Sequence, residues 1–360
     1  MAPICSCHDW MRGEVAVVGD LTERQQTIAT AVVAEHIRTA QPVGSARLCT
    51  LRSLDCSSAT IRSEMARLEE RGYLDQPHTS AGRVPLCPAY RLYVDELRTT
   101  GGRLDRDITW IQGELRRVAG RPEAALRLSS AILSRITRYP AVVISPRGRG
   151  PRLIDLSLTP VSANNVLMSW LDDRGNSEET LIETSSPIRA DRVAELEAAL
   201  RAELLGQSPG RPIETETDEV AAQDLLAGVR DALEEAGSGR VYVEGATYIL
   251  DQPEFEEPDR LRRVIGTLSQ SPVLRRALTA AVGSAGQPGG TTSAASIGEE
   301  HGVGSLRDCS VVAASYSVND RRSGTVGVLG PMRMDYALAL EMVAAIARNL
   351  GQALARDAEK

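Results

Sequence analysis

Between Ser57 and Arg67 stand Ser57, Ser58, Thr60, Arg62, Ser63 and Arg67, side chains of the kinds that read nucleic-acid base edges by hydrogen bonding. A short hydroxyl donates or accepts at a base edge, and a guanidinium can bond both major-groove acceptors of a guanine. The chemistry expected of them is recognition of double-stranded DNA, with Arg62 as the bidentate guanine reader and Ser58, Thr60 and Ser63 beside it. A second group, His78, Thr79, Ser80 and Arg83, follows in a Gly-containing basic turn. Thr79, Ser80 and Arg83 suit a clamp on phosphate. His78 suits a contact to the DNA backbone and a structural hydrogen bond equally.

Such residues need rigid elements to present them. Ser57 or Ser58 can cap a helix, and Ile61, Met65 and Leu68 form one apolar stripe behind it. Arg71 and Gly72 supply a cationic last turn and a left-handed stop. Tyr73-Leu74 opens a short strand, and Val84-Pro85 closes the unit. Two helices precede. Thr22 and Gln25 form a capping-box pattern, followed by apolar rows through Ile28, Ala29, Val32, Val33 and Ile37, and a short second helix is expected from Ser45. Three helices and a β-wing within residues 21–100 make a winged helix-turn-helix, whose third helix enters the major groove.

The charge balance limits how this unit binds. The chain of 360 residues carries a net charge of −7, and residues 21–98 hold ten arginines against nine acids. Forty of the 41 basic residues are arginine, so arginine abundance by itself says nothing about nucleic acid. A module this weakly basic binds non-specific DNA poorly, and two modules per site, hence a homodimer, are required for tight binding. Hydrophobic content of 42% and charged content of 25% are ordinary for a globular protein. No apolar run reaches the ~18 residues of a membrane span, and the N-terminus lacks the apolar core of a secretion signal; a cytoplasmic location is expected.

Other reactive residues point to no enzyme. Cys5, Cys7 and His8 cluster in an N-terminal extension, residues 1–20, that is expected to be disordered. They fall short of a closed zinc site. Cys49, Cys56, Cys87 and Cys309 are scattered, and His36 and His301 are isolated. No phosphate-binding loop, dinucleotide fingerprint, zinc-protease motif or nucleophile elbow occurs. No catalytic residue, cofactor or metal is therefore expected. Arg333 and Asp335 in GPMRMDY can be read as a ligand or partner contact, or as a salt bridge and a helix cap.

The rest of the chain alternates strands and helices. Short apolar strands fall at 141–145, 153–158, 165–171 and 180–183, helices at 189–205, 218–236 and 259–270, and strands again at 309–318 and 324–330. RVYVEGATYIL (240–250) reads as a strand or strand pair. A last helix carries Leu340, Val343, Ala347, Leu350 and Leu354, which is either a coiled-coil seam or a face packed on the sheet.

The segments SATIRSEMARLEERGYLDQPHTSAGRVP, AYRLYVDEL, VYVEGATYILDQPEF and GTVGVLGPMRMDY resemble, in this order, the heat-inducible transcription repressors of the HrcA family. The resemblance spans roughly residues 21–356. It implies a mixed α/β (α+β) chain: a winged helix (21–100), then a GAF-like sheet domain in two parts (104–188 and 299–356). An inserted dimerisation domain (189–282) and a flexible loop (283–298) would separate those parts. It further implies an inverted-repeat operator at chaperone genes and modulation by a chaperonin. The chain departs from the family pattern at Ser58, at Leu86-Cys87-Pro88-Ala89 and at Met332. A regulator controlled by a small molecule in the GAF-like domain, and an enzyme fused to a DNA-binding module, are the alternatives.

Overall fold

The computed structural model describes residues 21–50, 56–78, 81–100, 109–118, 120–146, 152–173, 175, 177–208, 212–237, 239–283, 293–319 and 321–355. The N-terminal extension with Cys5, Cys7 and His8, the wing residues Thr79 and Ser80, and residues 284–292 of the expected loop lie outside the described residues. The chain divides into two compact units, one made of Met1–Val143 and Val241–Lys360, the other of Ile144–Arg240.

The first unit opens with α1 (Glu23–Thr39). Its capping box forms as the sequence suggests, with Gln25 N–H donating to Thr22 Oγ1 at 3.3 Å and Thr22 N–H to Gln25 Oε1 at 3.1 Å. It stops where Ala40 turns left-handed. Next come α2 (Ser45–Cys49) and α3 (Ser58–Glu70), then a hairpin of β1 (Leu74–Asp75) and β2 (Val84–Pro85) in antiparallel register. Val43 and Arg83 exchange backbone hydrogen bonds of 2.8 Å, which ties the base of the hairpin to the chain entering α2. Gly82 permits this crossing, because a Cβ there would lie 2.4 Å from the Val43 carbonyl carbon. Ile28, Val32, Leu48, Ile61 and Leu68 are fully buried between the helices, and each side chain of this size contributes about 1.5–3 kcal/mol.

Helix α4 (Cys87–Thr100) leaves the hairpin and enters the rest of the unit. After α5 (Thr109–Arg117) and α6 (Pro122–Thr137), strand β3 (Ala141–Ile144) joins a five-stranded sheet. Its order is β7 (Val241–Glu244), β3, β10 (Arg321–Pro331), β9 (Cys309–Val318) and β8 (Ala294–Ile297). β9 pairs antiparallel with both β8 and β10. α9 (Pro258–Leu268), α10 (Ser271–Gly283) and α11 (Tyr336–Ala355) complete the unit. One hydrophobic cluster runs from Ile28 and Leu68 through Tyr90 and Leu133 to Val328, Tyr336 and Leu350, so winged helix and sheet share a core. The stripe of α11 is buried in that cluster. Its apolar periodicity is satisfied by its own sheet and by α6, which decides between the two readings of this helix.

The second unit is a meander of β4 (Leu153–Pro160), β5 (Asn165–Asp172) and β6 (Ser177–Glu183) with α7 (Ala190–Leu204) and α8 (Val220–Gly237). It has its own core, around Leu156, Met168, Val193, Leu200 and Leu225. Ser145 N–H donates to Arg240 O at 2.9 Å, so the unit's two ends lie side by side, and they follow and precede neighbouring strands of the five-stranded sheet.

The expected boundaries require correction here. Strands 153–183 were expected to belong to the interrupted sheet, and the insertion to occupy 189–282. The strands instead form the separate three-stranded sheet of the second unit, and α9 and α10 belong to the first. The physical reason is visible in the residues. AVVI of β3 is buried at every position, as in a strand covered on both faces. LIDLSLTP of β4 buries only one side after its bulge, and short turns let β4, β5 and β6 pair with one another. The expected flexible loop, 283–298, also contracts, because Ala294–Ile297 is the buried edge strand β8. Within 240–250 only Val241–Glu244 is strand, and Ala246–Asp251 is a 3-10 turn.

Candidate nucleic-acid interface

Helix α3 is held in place by polar contacts as well as by its apolar stripe. Ser57 is the cap, its hydroxyl accepting from Thr60 N–H at 3.2 Å and lying 2.9 Å from Thr60 Oγ1. Ser58, the first helical residue, has its hydroxyl 3.1 Å from Ser45 Oγ of α2. Gln25 Nε2 donates to Glu64 Oε2 at 2.9 Å, both side chains being buried between α1 and α3. The other oxygen of Glu64 accepts from Arg67 at 3.0 Å. Glu35, buried on α1, receives Arg38 and Arg47, and these two guanidiniums lower its carboxyl to about 2. The pair with Arg47 fastens α2 to α1.

The surface that remains is narrow. On a helix turning about 100° per residue, Ala59, Arg62, Ser63, Ala66, Arg67 and, in the last turn, Glu70 share one side, opposite Ile61, Met65 and Leu68. Ala59, Arg62, Ser63 and Arg67 are exposed, and Ala66 is half-buried. Sequence reasoning missed the two alanines, although they sit at the center of this face. Small side chains let the helix approach base edges closely, and a methyl group suits a thymine methyl. Thr60 and Ser58 lie on the flanks, where their hydroxyls serve the cap and α2. Ser58 and Thr60, expected to face bases, thus have their hydroxyls directed to Ser45 and Ser57.

Arg83 was expected to clamp phosphate. Its guanidinium is instead folded back on α3, with Nε 2.9 Å and a terminal nitrogen 2.7 Å from Glu69 Oε2. Only 16% of the side chain is exposed. Together with the backbone bridge to Val43, this pair ties the base of the wing to α3. His78 is exposed at the described edge of the wing, and its carbonyl accepts from Ala81 N–H at 2.8 Å.

The reactive residues elsewhere have structural partners. Asp335 Oδ1 accepts from Leu338 N–H at 3.0 Å and so caps α11. Arg333 forms an ion pair with Glu254 and donates to Gln252 at 3.4 Å. The cap and the salt bridge account for both charged residues of GPMRMDY and join that motif to DQPEF. His301 is buried, which disfavors its charged form, and its Nδ1 accepts from Val303 N–H at 3.3 Å. Among the described residues no group of three or more histidine, cysteine or acidic side chains is arranged to hold a metal ion. No described helix is long and apolar enough to cross a membrane.

The family described as "HrcA protein C terminal domain" matches residues 123–339. The heat-inducible transcription repressor HrcA of Brevibacillus brevis is 32% identical over 351 residues, covering 94% of this chain and all of that one. That of Pelotomaculum thermopropionicum is 33% identical over 345 residues, covering 93% and 97%. A 2.2 Å crystal structure described as that of a hypothetical protein superposes with a TM-score of 0.57 at 24% identity, covering 94% of this chain and 98% of that one; it shows the same mixed α/β fold. With a family match over more than half its length and full-length relatives above 30% identity, the chain belongs to the HrcA family of heat-inducible transcription repressors, regulators and not enzymes.

Proposed function

We propose that the chain represses chaperone genes by placing the Arg62 face of α3 in the major groove of each half of an inverted-repeat operator, as a homodimer whose activity a chaperonin modulates. The observation that carries this reading is the exposed Ala59-Arg62-Ser63-Ala66-Arg67 face beside a braced wing, in a chain of a repressor family. Arg62 and Ser63 contact bases, Arg67 and His78 the flanking backbone, and Thr79 and Ser80 add phosphate contacts from the wing. The five-stranded sheet serves as the GAF-like domain and the second unit as the dimerisation domain. The outer face of the second unit's sheet supports the latter role. Leu167 and Leu181 are cross-strand partners there, Leu181 and Ile154 are more than half exposed, and Leu171 lies on the same side. Leu181 stands between the exposed acids Glu179 and Glu183 on this face, an apolar patch with a charged surround that suits contact with a second copy.

The test is fluorescence anisotropy with a full inverted repeat from a chaperone promoter, a single half-site and a scrambled duplex, each at two salt concentrations, with and without chaperonin. Tight binding to the full repeat alone, strengthened by chaperonin, is the expected result. Equal, weak and salt-labile binding to all three would overturn the reading and bring forward a regulator controlled by a small molecule.

A further inference from the structure

Helix α4 is where the winged helix meets the sheet of its own unit. Cys87, Tyr90 and Arg91, spaced as neighbors on one helical face, contact it at three points. Cys87 Sγ lies 3.5 Å from Met332 Sδ, and a Cβ on Gly298, whose φ is +60°, would lie 2.8 Å from the same thiol. The Tyr90 ring packs against Tyr336 with centroids 6.2 Å apart. Arg91 makes the third contact. Its Nε donates to Glu300 Oε1 at 3.0 Å, one terminal nitrogen bonds Glu300 Oε2 and donates to Ala295 O at 2.7 Å, and the other terminal nitrogen lies 3.5 Å from Asp95. Glu300 Oε2 also accepts from Ile297 N–H at 2.8 Å. The guanidinium is thus bonded directly to the backbone of β8 at Ala295 and tied through Glu300 to Ile297.

The first two contacts resist separation but tolerate sliding, because sulfur and ring surfaces have shallow orientation preferences. A bidentate guanidinium–carboxylate pair fixes direction as well as distance. Both partners are partly buried, Arg91 at 24% exposure and Glu300 at 35%, which reduces the screening that weakens surface pairs. Rotation of the winged helix about α4 moves α3, and two linked reading heads gain from each other only when their separation matches the operator.

We propose that Arg91 and Glu300 are positioning residues for operator recognition: their pair sets the angle of the winged helix on the sheet and with it the half-site spacing the repressor accepts. This rests on the dimeric reading above. The experiment uses the full-length protein and its Arg91→Ala, Arg91→Lys and Glu300→Gln variants. Anisotropy is measured on a half-site, the full repeat, and repeats with one base pair added to or removed from the spacer; a thermal melt of each variant controls for folding. Arg91→Ala and Glu300→Gln should bind the half-site within about twofold of wild type, lose about tenfold on the full repeat, and discriminate less between spacers. Arg91→Lys, which keeps the charge without the fork, should fall between. Equal losses on half-site and full repeat, or unchanged spacer discrimination, would overturn the positioning role alone. A wild-type protein with no preference for the full repeat would overturn the dimeric reading and this one with it.

Discussion

Replacing Arg62 with alanine should remove operator discrimination and leave the fold untouched. Arg62 is exposed on α3, away from the buried contacts of Gln25, Glu64 and the apolar stripe. Alanine is as good a helix former as arginine, so stability should change by less than about 0.5 kcal/mol. A bidentate base contact carries about 1–3 kcal/mol of discrimination. A dimer makes that contact twice, once per half-site, so the two losses combine to about 2–6 kcal/mol. In affinity for the operator this is at least about 30-fold, whereas binding to scrambled DNA should change only by the loss of one positive charge per protomer. Competition anisotropy of wild type and variant on operator and scrambled duplexes reads the ratio directly. If Arg62→Ala weakened both duplexes by the same factor, Arg62 would be a backbone contact and the orientation assigned to α3 would be wrong.

Further perturbations separate the remaining roles. If Arg83 is a strut, Glu69→Gln should weaken operator binding nearly as much as Arg83→Ala, and hydrogen exchange at Leu74–Asp75 should rise in both. A loss confined to Arg83→Ala, with a shallower salt dependence, would restore the phosphate clamp. Glu35 tests the electrostatics of the module. Arg38 and Arg47 lower its carboxyl from 4.5 to about 2, so its contribution is present above pH ~4.5 and vanishes as pH falls toward ~2. Both arginines are more than half exposed, which discounts the contribution to about 1 kcal/mol. The melting difference between wild type and Glu35→Gln should therefore be larger at pH 7 than at pH 3, and an equal difference at both would refute this account. Leu181→Asp on the outer face of the second unit's sheet should yield a monomer by light scattering with an unchanged melt of the isolated protomer; a persistent dimer would place the interface elsewhere.

The winged helix was legible wherever its signals are local. The Thr22–Gln25 capping box, the Ile61-Met65-Leu68 stripe and the stop at Gly72 all act within a few residues, and the helices form where these signals place them. The partners of the polar side chains were not legible. Arg83 and Glu69 are 14 residues apart, Gln25 and Glu64 39. Nothing in either segment says that a basic wing residue faces inward, or that a glutamine on the apolar side of α1 has a carboxylate waiting on α3. Ala59 and Ala66 carry no polar group to signal a role; their place at the center of the exposed α3 face comes from what surrounds them.

The sequence by itself determined the class of molecule. Motifs tens of residues long identify the family, and the types of residue on α3 suit recognition of base edges. Tertiary structure alone decided the architecture that uses them. It separated β4–β6 into a sheet of their own, returned α9 and α10 to the first unit, and paired Arg83 with Glu69. It also brought Arg91 to Glu300, more than two hundred residues away. The reason is physical: a cap or a stripe is fixed by neighbors along the chain, whereas strand pairing and ion pairing are settled by which surfaces can be buried together, a property of the whole fold.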